Sequence, residues 1–159
     1  MKVLIATDTT PNGGAAVRAA AHRNWPRGTA LRVVSVIESP PIIYPVASEF
    51  VGGTMYESTP EARKEVEDYL VKQARRVRRL GLKISHTVLL GLPADEIIKA
   101  AKVWDADLIM VGSRGQRRFS RFLLGSVALR VASLAPCSVE IVREDGGKAK
   151  LAGAKGGTQ

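Results

Sequence analysis

Two glycines, a serine and an arginine stand together at positions 112–115, and a glycine–serine pair, Gly125-Ser126, follows after nine intervening residues. A run typical of a buried strand precedes the first group, and a run typical of a helix begins at the second. Glycine lets backbone N–H groups approach an anion closely because it has no Cβ. The first turn of a helix adds unpaired N–H donors and a partial positive charge. No Asp or Glu lies between positions 113 and 130, so the segment predicts a phosphate-binding loop.

This loop differs from the two commonest nucleotide-binding fingerprints. A Walker A loop ends in Gly-Lys-Ser/Thr, but no lysine lies between Lys102 and Lys148. The dinucleotide fingerprint Gly-x-Gly-x-x-Gly is also absent from the loop. A second glycine pair, Gly13-Gly14, follows the first predicted strand and lacks that spacing too. We interpret this pair as loop or first-turn geometry.

Five predicted strands alternate with four predicted helices along the chain. The strands are placed at 2–7, 31–37, 83–90, 106–111 and 137–143, and the helices begin near 15, 60, 93 and 126, the last one covering 126–134. Thr59 or Ser58 is expected to cap the long second helix, with Pro60 in its first turn and Gly81 at its end. The alternation indicates an open parallel sheet covered by helices on both faces. Ligands bind such sheets beyond the carboxyl ends of the strands, where the strand order reverses.

Length and composition indicate one globular domain, placed at 1–144, followed by a disordered tail at 145–159. The chain has 159 residues, of which 45% are hydrophobic, and a formal net charge of +9. That charge permits attraction to nucleotides, nucleic acid or acidic proteins without choosing among them. No apolar run reaches the length of a transmembrane helix, and the apolar start is too short for a signal peptide. The single cysteine, Cys137, is expected to be a core residue. We therefore predict a cytoplasmic protein that is not bound to a membrane.

Several segments occur in the order typical of the universal stress protein family. The pattern Gly112-x-x-Gly115-x9-Gly125-Ser126 resembles that family's nucleotide-binding loop. Positions 3–8, VLIATD, resemble its opening strand, and positions 135–143 resemble its last one, over a match that runs from about residue 2 to 143. The resemblance implies a flavodoxin-like or Rossmann-like sheet of order 3-2-1-4-5. It also implies a homodimer formed through positions 139–143 and an adenine nucleotide, ATP, as ligand.

The residues of the loop suggest how phosphates are held. Gly112 and Gly115 let the backbone wrap around them, Arg114 adds positive charge, and Gly125 and Ser126 present helix N-terminal amides. A divalent cation, Mg²⁺ or Mn²⁺, is expected to bind through the phosphates.

The opposite end of the predicted site rests partly on the resemblance. It implies that Val36 contacts adenine through its backbone. The resemblance also implies that Ala6 and Thr7 line the adenine pocket and that Val111 and Val127 flank the loop. Asp8 has two interpretations that stay open. It either serves the ligand, by accepting hydrogen bonds from ribose hydroxyls or helping to hold the cation, or it caps a helix or turn.

No catalytic set stands out in the sequence. There is no nucleophile elbow and no pair of carboxylates on one element, so ATP hydrolysis is expected to be slow or absent. Three functions stay open. The first is an ATP-binding regulatory protein of the stress-response type. The second is a nucleotide-independent scaffold, favoured by the unusual sequence from Ala6 to Thr9. The third is a nucleotide hydrolase.

Other conspicuous residues receive structural interpretations. The basic cluster at 72–83 is interpreted as a solvated helix face, because no aromatic residues interleave with it, so a nucleic-acid partner is not predicted. His22 and His86 lack partners at metal-binding spacing. Trp25 and Trp104 are expected to close the core at helix ends. The segment 39–57, rich in proline and glycine, is predicted to be a long loop.

Overall fold

The computed structural model describes residues 1–9, 14–38, 59–78, 82–113 and 124–143. These ranges form five strands: β1 (Lys2–Ala6), β2 (Ala30–Glu38), β3 (Lys83–Gly91), β4 (Leu108–Gly112) and β5 (Ser138–Val142). Four helices alternate with them: α1 (Ala15–His22), α2 (Pro60–Arg78), α3 (Pro93–Val103) and α4 (Ser126–Leu134). The predicted alternation is confirmed, and Gly14 is the residue that caps the start of α1. The predicted loop at 39–57, the end of α2 at Gly81 and the tail at 145–159 lie outside the described residues.

The strands form one parallel sheet of order β3-β2-β1-β4-β5, as predicted. Parallel neighbours need a crossover connection, and the alternating helices provide it. The chain first adds strands on one side of β1 and then crosses to its other side, so the strand order reverses between β1 and β4. Ala6 of β1 pairs with Val111 of β4 at this point. The centre of the sheet is therefore the position at which parallel folds of this kind bind ligands.

The strand boundaries differ from the predicted ones by at most two residues. The largest difference is at β4, which was predicted to start at Ala106 and starts at Leu108. Ala106 instead donates its N–H to the Ala101 carbonyl at 2.9 Å, so it still belongs to the turn that ends α3. That turn contains Asp105, whose φ of +49° is a left-handed backbone conformation. A run of apolar residues in the sequence does not indicate such a conformation.

Each face of the sheet is covered by two helices. Odd-numbered residues of β1, such as Val3 and Ile5, pack with α1 and α2, whereas Leu4 and Ala6 pack with α3 and α4. This follows from the two-residue period of a strand. The central strands β1 and β4 are almost fully buried, but the edge strands β3 and β5 keep exposed and half-buried residues. The predicted covering of both faces by helices is thus confirmed, and burial decreases from the centre of the sheet to its edges.

Thr59 caps α2, as one of the two sequence alternatives predicted. Its Oγ1 accepts the N–H of Ala62 at 3.2 Å, and Pro60 is the first residue of the helix. Thr59→Ala is therefore expected to lower the free energy of unfolding by about 1 kcal/mol. Urea denaturation monitored by circular dichroism measures the change. Thr59→Ser keeps the acceptor and should match the wild type; equal stability of Thr59→Ala and the wild type would contradict the capping role.

Candidate functional site

The carboxyl ends of β1 and β4 lie side by side at the centre of the sheet. Ala6 and Val111 pair in register, and both are buried. Beyond the end of β1, the Thr7 N–H still donates to the Val34 carbonyl of β2 at 2.9 Å. Residues that lie about a hundred positions apart in the sequence thus meet at one edge of the sheet. They are the residues that were predicted to surround one ligand.

Ser113 joins this edge to the start of α4. Its N–H donates to the Val142 carbonyl of β5 at 2.7 Å, and its carbonyl accepts the Gly125 N–H at 2.9 Å. The residue is buried, with 6% of its surface exposed. These two bonds place the first turn of α4 directly beside the end of β4. Sequence reasoning quoted Ser113 within the loop pattern but assigned it no role.

The start of α4 carries donors and no negative charge. The helix is capped by Gly125 in an extended conformation (φ −63°, ψ 148°) with no side-chain cap, and its first turn contains no acidic residue. Because this φ is open to any residue, glycine is required here only for the absence of a Cβ. Ser126 is exposed, whereas Val127 packs against the core cluster that contains Val111. The free N–H groups of a first helical turn suit an anion.

The structure separates two residues that were predicted to line one pocket. Ala6 packs toward α3 and α4, whereas the Thr7 hydroxyl lies 3.3 Å from the Tyr69 hydroxyl of α2, on the opposite face. Thr7 also donates this hydroxyl to the Asp8 carbonyl at 3.1 Å. Asp8 is half-buried, and its Oδ2 is shielded from solvent. The sequence analysis missed Tyr69, whose only signal was a polar-tipped residue beside the apolar stripe of α2.

Val36 lies on β2, beyond the level at which β1 ends. The N–H and C=O of alternate residues of a strand face the same neighbour. Val34 faces β1, since its carbonyl accepts the Thr7 N–H. The backbone groups of Val36 therefore face the same side, two residues beyond Val34, which pairs with the last residue of β1. The Val36 side chain is half-buried against the α3 and α4 face.

The remaining predicted site residues, Arg114 and Gly115, lie outside the described residues, as do the other arginines of the loop. Gly112 closes β4 and pairs with Val142. The described part of the site therefore consists of the two strand ends, Ser113, the start of α4 and the Asp8 segment.

The structure describes most of the residues that received structural interpretations. His22 and His86 are exposed, and no three His, Cys, Asp or Glu side chains within the described ranges cluster as a metal site. Cys137 is half-buried against the core; burial, with the Asp107 carboxylate adding to it, raises the pKa of its thiol. Trp25 and Trp104 pack at the two margins of the core. None of the helices in the described ranges is long and apolar enough to cross a membrane.

The basic cluster of α2 is exposed where the structure describes it, at Lys72, Arg75 and Arg76. Arg76 donates to Gln73 at 3.4 Å. Exposure of this kind is what a solvated helix face requires.

The sheet order, with its reversal between β1 and β4, defines a doubly wound α/β protein. The sequence model of the universal stress protein family matches residues 1–143. The chain belongs to the universal stress protein family, which confirms the predicted resemblance.

Two relatives illustrate the range of similarity. Universal stress protein YxiE of Bacillus subtilis is 31% identical over 150 residues, which cover 89% of this chain and 98% of the relative. Universal stress protein MJ0531 of Methanocaldococcus jannaschii is 39% identical over 82 residues, which cover 52% of this chain and 48% of the relative. The matched segment thus spans about half the length of MJ0531.

Solved structures show the same fold. The protein MJ0577 of Methanocaldococcus jannaschii has a TM-score of 0.75 at 21% identity, covering 91% of this chain and 96% of that one. The universal stress protein of Archaeoglobus fulgidus in complex with dAMP has a TM-score of 0.63 at 24% identity, covering 89% of this chain and 97% of that one. A family member from Arabidopsis thaliana with AMP bound has a TM-score of 0.60 at 18% identity, covering 96% and 97%. Nucleotides are therefore ligands of some proteins with this architecture.

Proposed function

We propose that this universal stress protein is a regulatory protein that binds ATP, with Mg²⁺ or Mn²⁺, at the carboxyl edge of β1 and β4. The observation that carries the proposal is the placement of α4, whose acid-free first turn is tied by the Gly125–Ser113 hydrogen bond to the end of β4. The relatives that hold AMP and dAMP on the same fold support an adenine nucleotide.

The phosphates are held at the α4 end of the site. Gly112, Gly125 and Ser126 offer backbone approach and helix N-terminal donors, and Val111 and Val127 form the apolar floor between them. Arg114 and Gly115, which lie outside the described residues, are the further phosphate-binding residues in this proposal. The cation neutralises the phosphates and is bound through them, which is the usual mode for Mg²⁺ beside nucleotides.

The adenine is held between β1 and β2. The backbone N–H and C=O of Val36, which face the side that β1 has vacated, can pair with the polar edge of a purine, while Ala6 and the backbone of Thr7 border it. Apolar walls with a few backbone hydrogen bonds are a normal way to bind a purine. Asp8 lies between the two ends, where its carboxylate accepts hydrogen bonds from ribose hydroxyls.

The ligand serves regulation, and its turnover is slow or absent. Hydrolysis needs a positioned water and a base, and the carboxylate that follows β1, Asp8, is placed in this proposal at the ribose end rather than the phosphate end. In this proposal, the fraction of the protein that has ATP bound depends on the cellular concentration of ATP.

Calorimetric titration of the full chain, stripped of carried-over nucleotide, tests the proposal. MgATP is expected to bind with a Kd in the micromolar range and one site per chain. GTP should bind more weakly, because the Val36 backbone would meet a different purine edge. AMP reports the contribution of the outer phosphates. No heat from MgATP and no displacement of a fluorescent ATP analogue would contradict the proposal.

We also propose that the protein is a homodimer formed through β5. β5 pairs with β4 on one side and ends the described sheet on the other. Val142 faces β4, since its carbonyl accepts the Ser113 N–H. Val139 and Ile141 therefore direct their backbone groups outward. An edge of this kind favours pairing with a second copy of the same chain.

Ile141→Pro is expected to convert this dimer into a monomer. Proline removes the outward N–H of Ile141 without removing a bond of the β4–β5 ladder, and it is tolerated on edge strands. Light scattering coupled to size exclusion measures the mass. Ile141→Ala loses the side chain but keeps the N–H, so it should remain a dimer. A dimeric Ile141→Pro variant would place the interface elsewhere.

A further inference from the structure

The face of α2 that packs on the sheet, mainly on β2 and β3, is not uniformly apolar. Leu70 and Val77 are fully buried, as expected for an amphipathic helix, but Tyr69 is half-buried beside them and Gln73 is 6% exposed. Burying a polar side chain is unfavourable unless it is hydrogen-bonded. The side-chain oxygen of Gln73 accepts a hydrogen bond from the Arg76 guanidinium at 3.4 Å. The Tyr69 hydroxyl lies within hydrogen-bond distance of the Thr7 hydroxyl. These polar tips lie where α2 passes the end of β1, next to the proposed nucleotide site.

Tyr69, Thr7 and Asp8 form a short chain of hydrogen bonds. The Thr7 hydroxyl donates its single proton to the Asp8 carbonyl at 3.1 Å. The Tyr69 hydroxyl, 3.3 Å from Thr7 Oγ1, is therefore the donor of the other bond. The link joins residues 62 positions apart and is partly buried, so water competes for it less than it would at the surface. Through Thr7, α2 thus holds the backbone at Asp8.

We infer that Tyr69 is a positioning residue for the ribose end of the nucleotide site. It does not contact the ligand; it fixes the Thr7 rotamer and the Asp8 carbonyl, and so the direction in which the Asp8 carboxylate leaves the strand. Orientation of a binding group before the ligand arrives reduces the entropy lost on binding. This inference rests on the proposed nucleotide site.

Selectivity for ribose hydroxyls separates this role from a general structural one. ATP and 2′,3′-dideoxy-ATP share base and phosphates and differ only in the two hydroxyls that Asp8 would accept. We expect the wild type to prefer ATP and Tyr69→Phe to bind ATP about fivefold more weakly, the size expected for one lost hydrogen bond. Its affinity for dideoxy-ATP should not change. Titration of both nucleotides with magnesium measures the two affinities.

Three variants complete the experiment. Thr7→Val breaks the same chain from the other side and should reduce the ATP preference equally, and the double variant should show no further loss. Thr59→Ala weakens α2 at its far end and should leave the preference unchanged. An undiminished ATP preference in Tyr69→Phe and Thr7→Val overturns the inference, and so does a wild type that binds both nucleotides equally. In both of these cases the proposed function stands, whereas a wild type that binds neither nucleotide overturns both.

Discussion

Ser126→Asp is expected to weaken MgATP binding by at least about tenfold, which corresponds to about 1.4 kcal/mol of binding free energy. Ser126 is the first residue of α4 and is exposed. A carboxylate at this position would stand a few ångströms from the phosphates and would compete for the same N–H donors. Two like charges at such a distance repel by a few kcal/mol at a protein surface before screening by salt.

The same substitution should not destabilise the protein. An acidic residue in the first turn of a helix is favoured by the helix dipole, typically by about 0.3–1 kcal/mol. The wild-type first turn of α4 contains no acid and no side-chain cap, so the added charge has no like-charged neighbour on the helix. Loss of affinity without loss of stability identifies a ligand effect rather than damage to the fold.

Two variants control for the size and the charge of the new side chain. Ser126→Asn has nearly the same shape as aspartate and is neutral, so it should bind MgATP almost as the wild type does. Ser85→Asp adds the same charge at an exposed position of β3, beside Arg32, and should leave MgATP binding nearly unchanged. Calorimetry of all three variants measures the affinities. Equal affinities of Ser126→Asp and Ser126→Asn would show that the phosphates are not bound at the start of α4.

Leu4→Ala is expected to have the largest effect on stability, a loss of about 2–5 kcal/mol. Leu4 is fully buried on β1, with β2 paired on one side through Arg32 and β4 on the other through Ile109. Because hydrogen-bonded strands hold the backbone on both sides, the structure around the shortened side chain cannot collapse to fill the space. Such a loss is a large part of the 5–15 kcal/mol typical of a domain.

Leu134→Ala provides the matched control. Leu134 is the last residue of α4 and is 56% exposed, and alanine is at least as good a helix former as leucine. The same atoms removed at this surface should change the free energy of unfolding by no more than about 0.5 kcal/mol. Urea denaturation of both variants gives the comparison. If both changes cost the same, the centre of the sheet is less tightly packed than the structure indicates.

Local sequence signals predicted much of the fold. The predicted last helix, 126–134, has the bounds that the structure shows, because an apolar period and a preceding glycine are short-range features. Thr59 and Pro60 marked the start of α2 for the same reason. The start of β4 was less predictable, since the apolar residue Ala106 belongs to the turn that follows α3 rather than to the strand.

The strand order had a different source. Periodicity indicated a parallel sheet, and the rule of right-handed crossovers limits the topologies without choosing one. The choice of 3-2-1-4-5 came in part from the resemblance to the universal stress protein family, and the sheet confirms it. The same order brings Ala6 beside Val111, so the meeting of the two strand ends was predicted as well.

The sequence by itself determined the elements, the glycine loop, the acid-free start of α4 and the family. Only the tertiary structure decided which residues of different elements contact each other. It turned Thr7 away from Ala6 and toward Tyr69, and it made Ser113 the link from β5 to α4. The reason is physical. Secondary-structure propensity and hydrophobic periodicity act over a few neighbouring residues, whereas these hydrogen bonds depend on how α2 and α4 pack on the sheet. The positions of these helices are determined by the packing of the whole core.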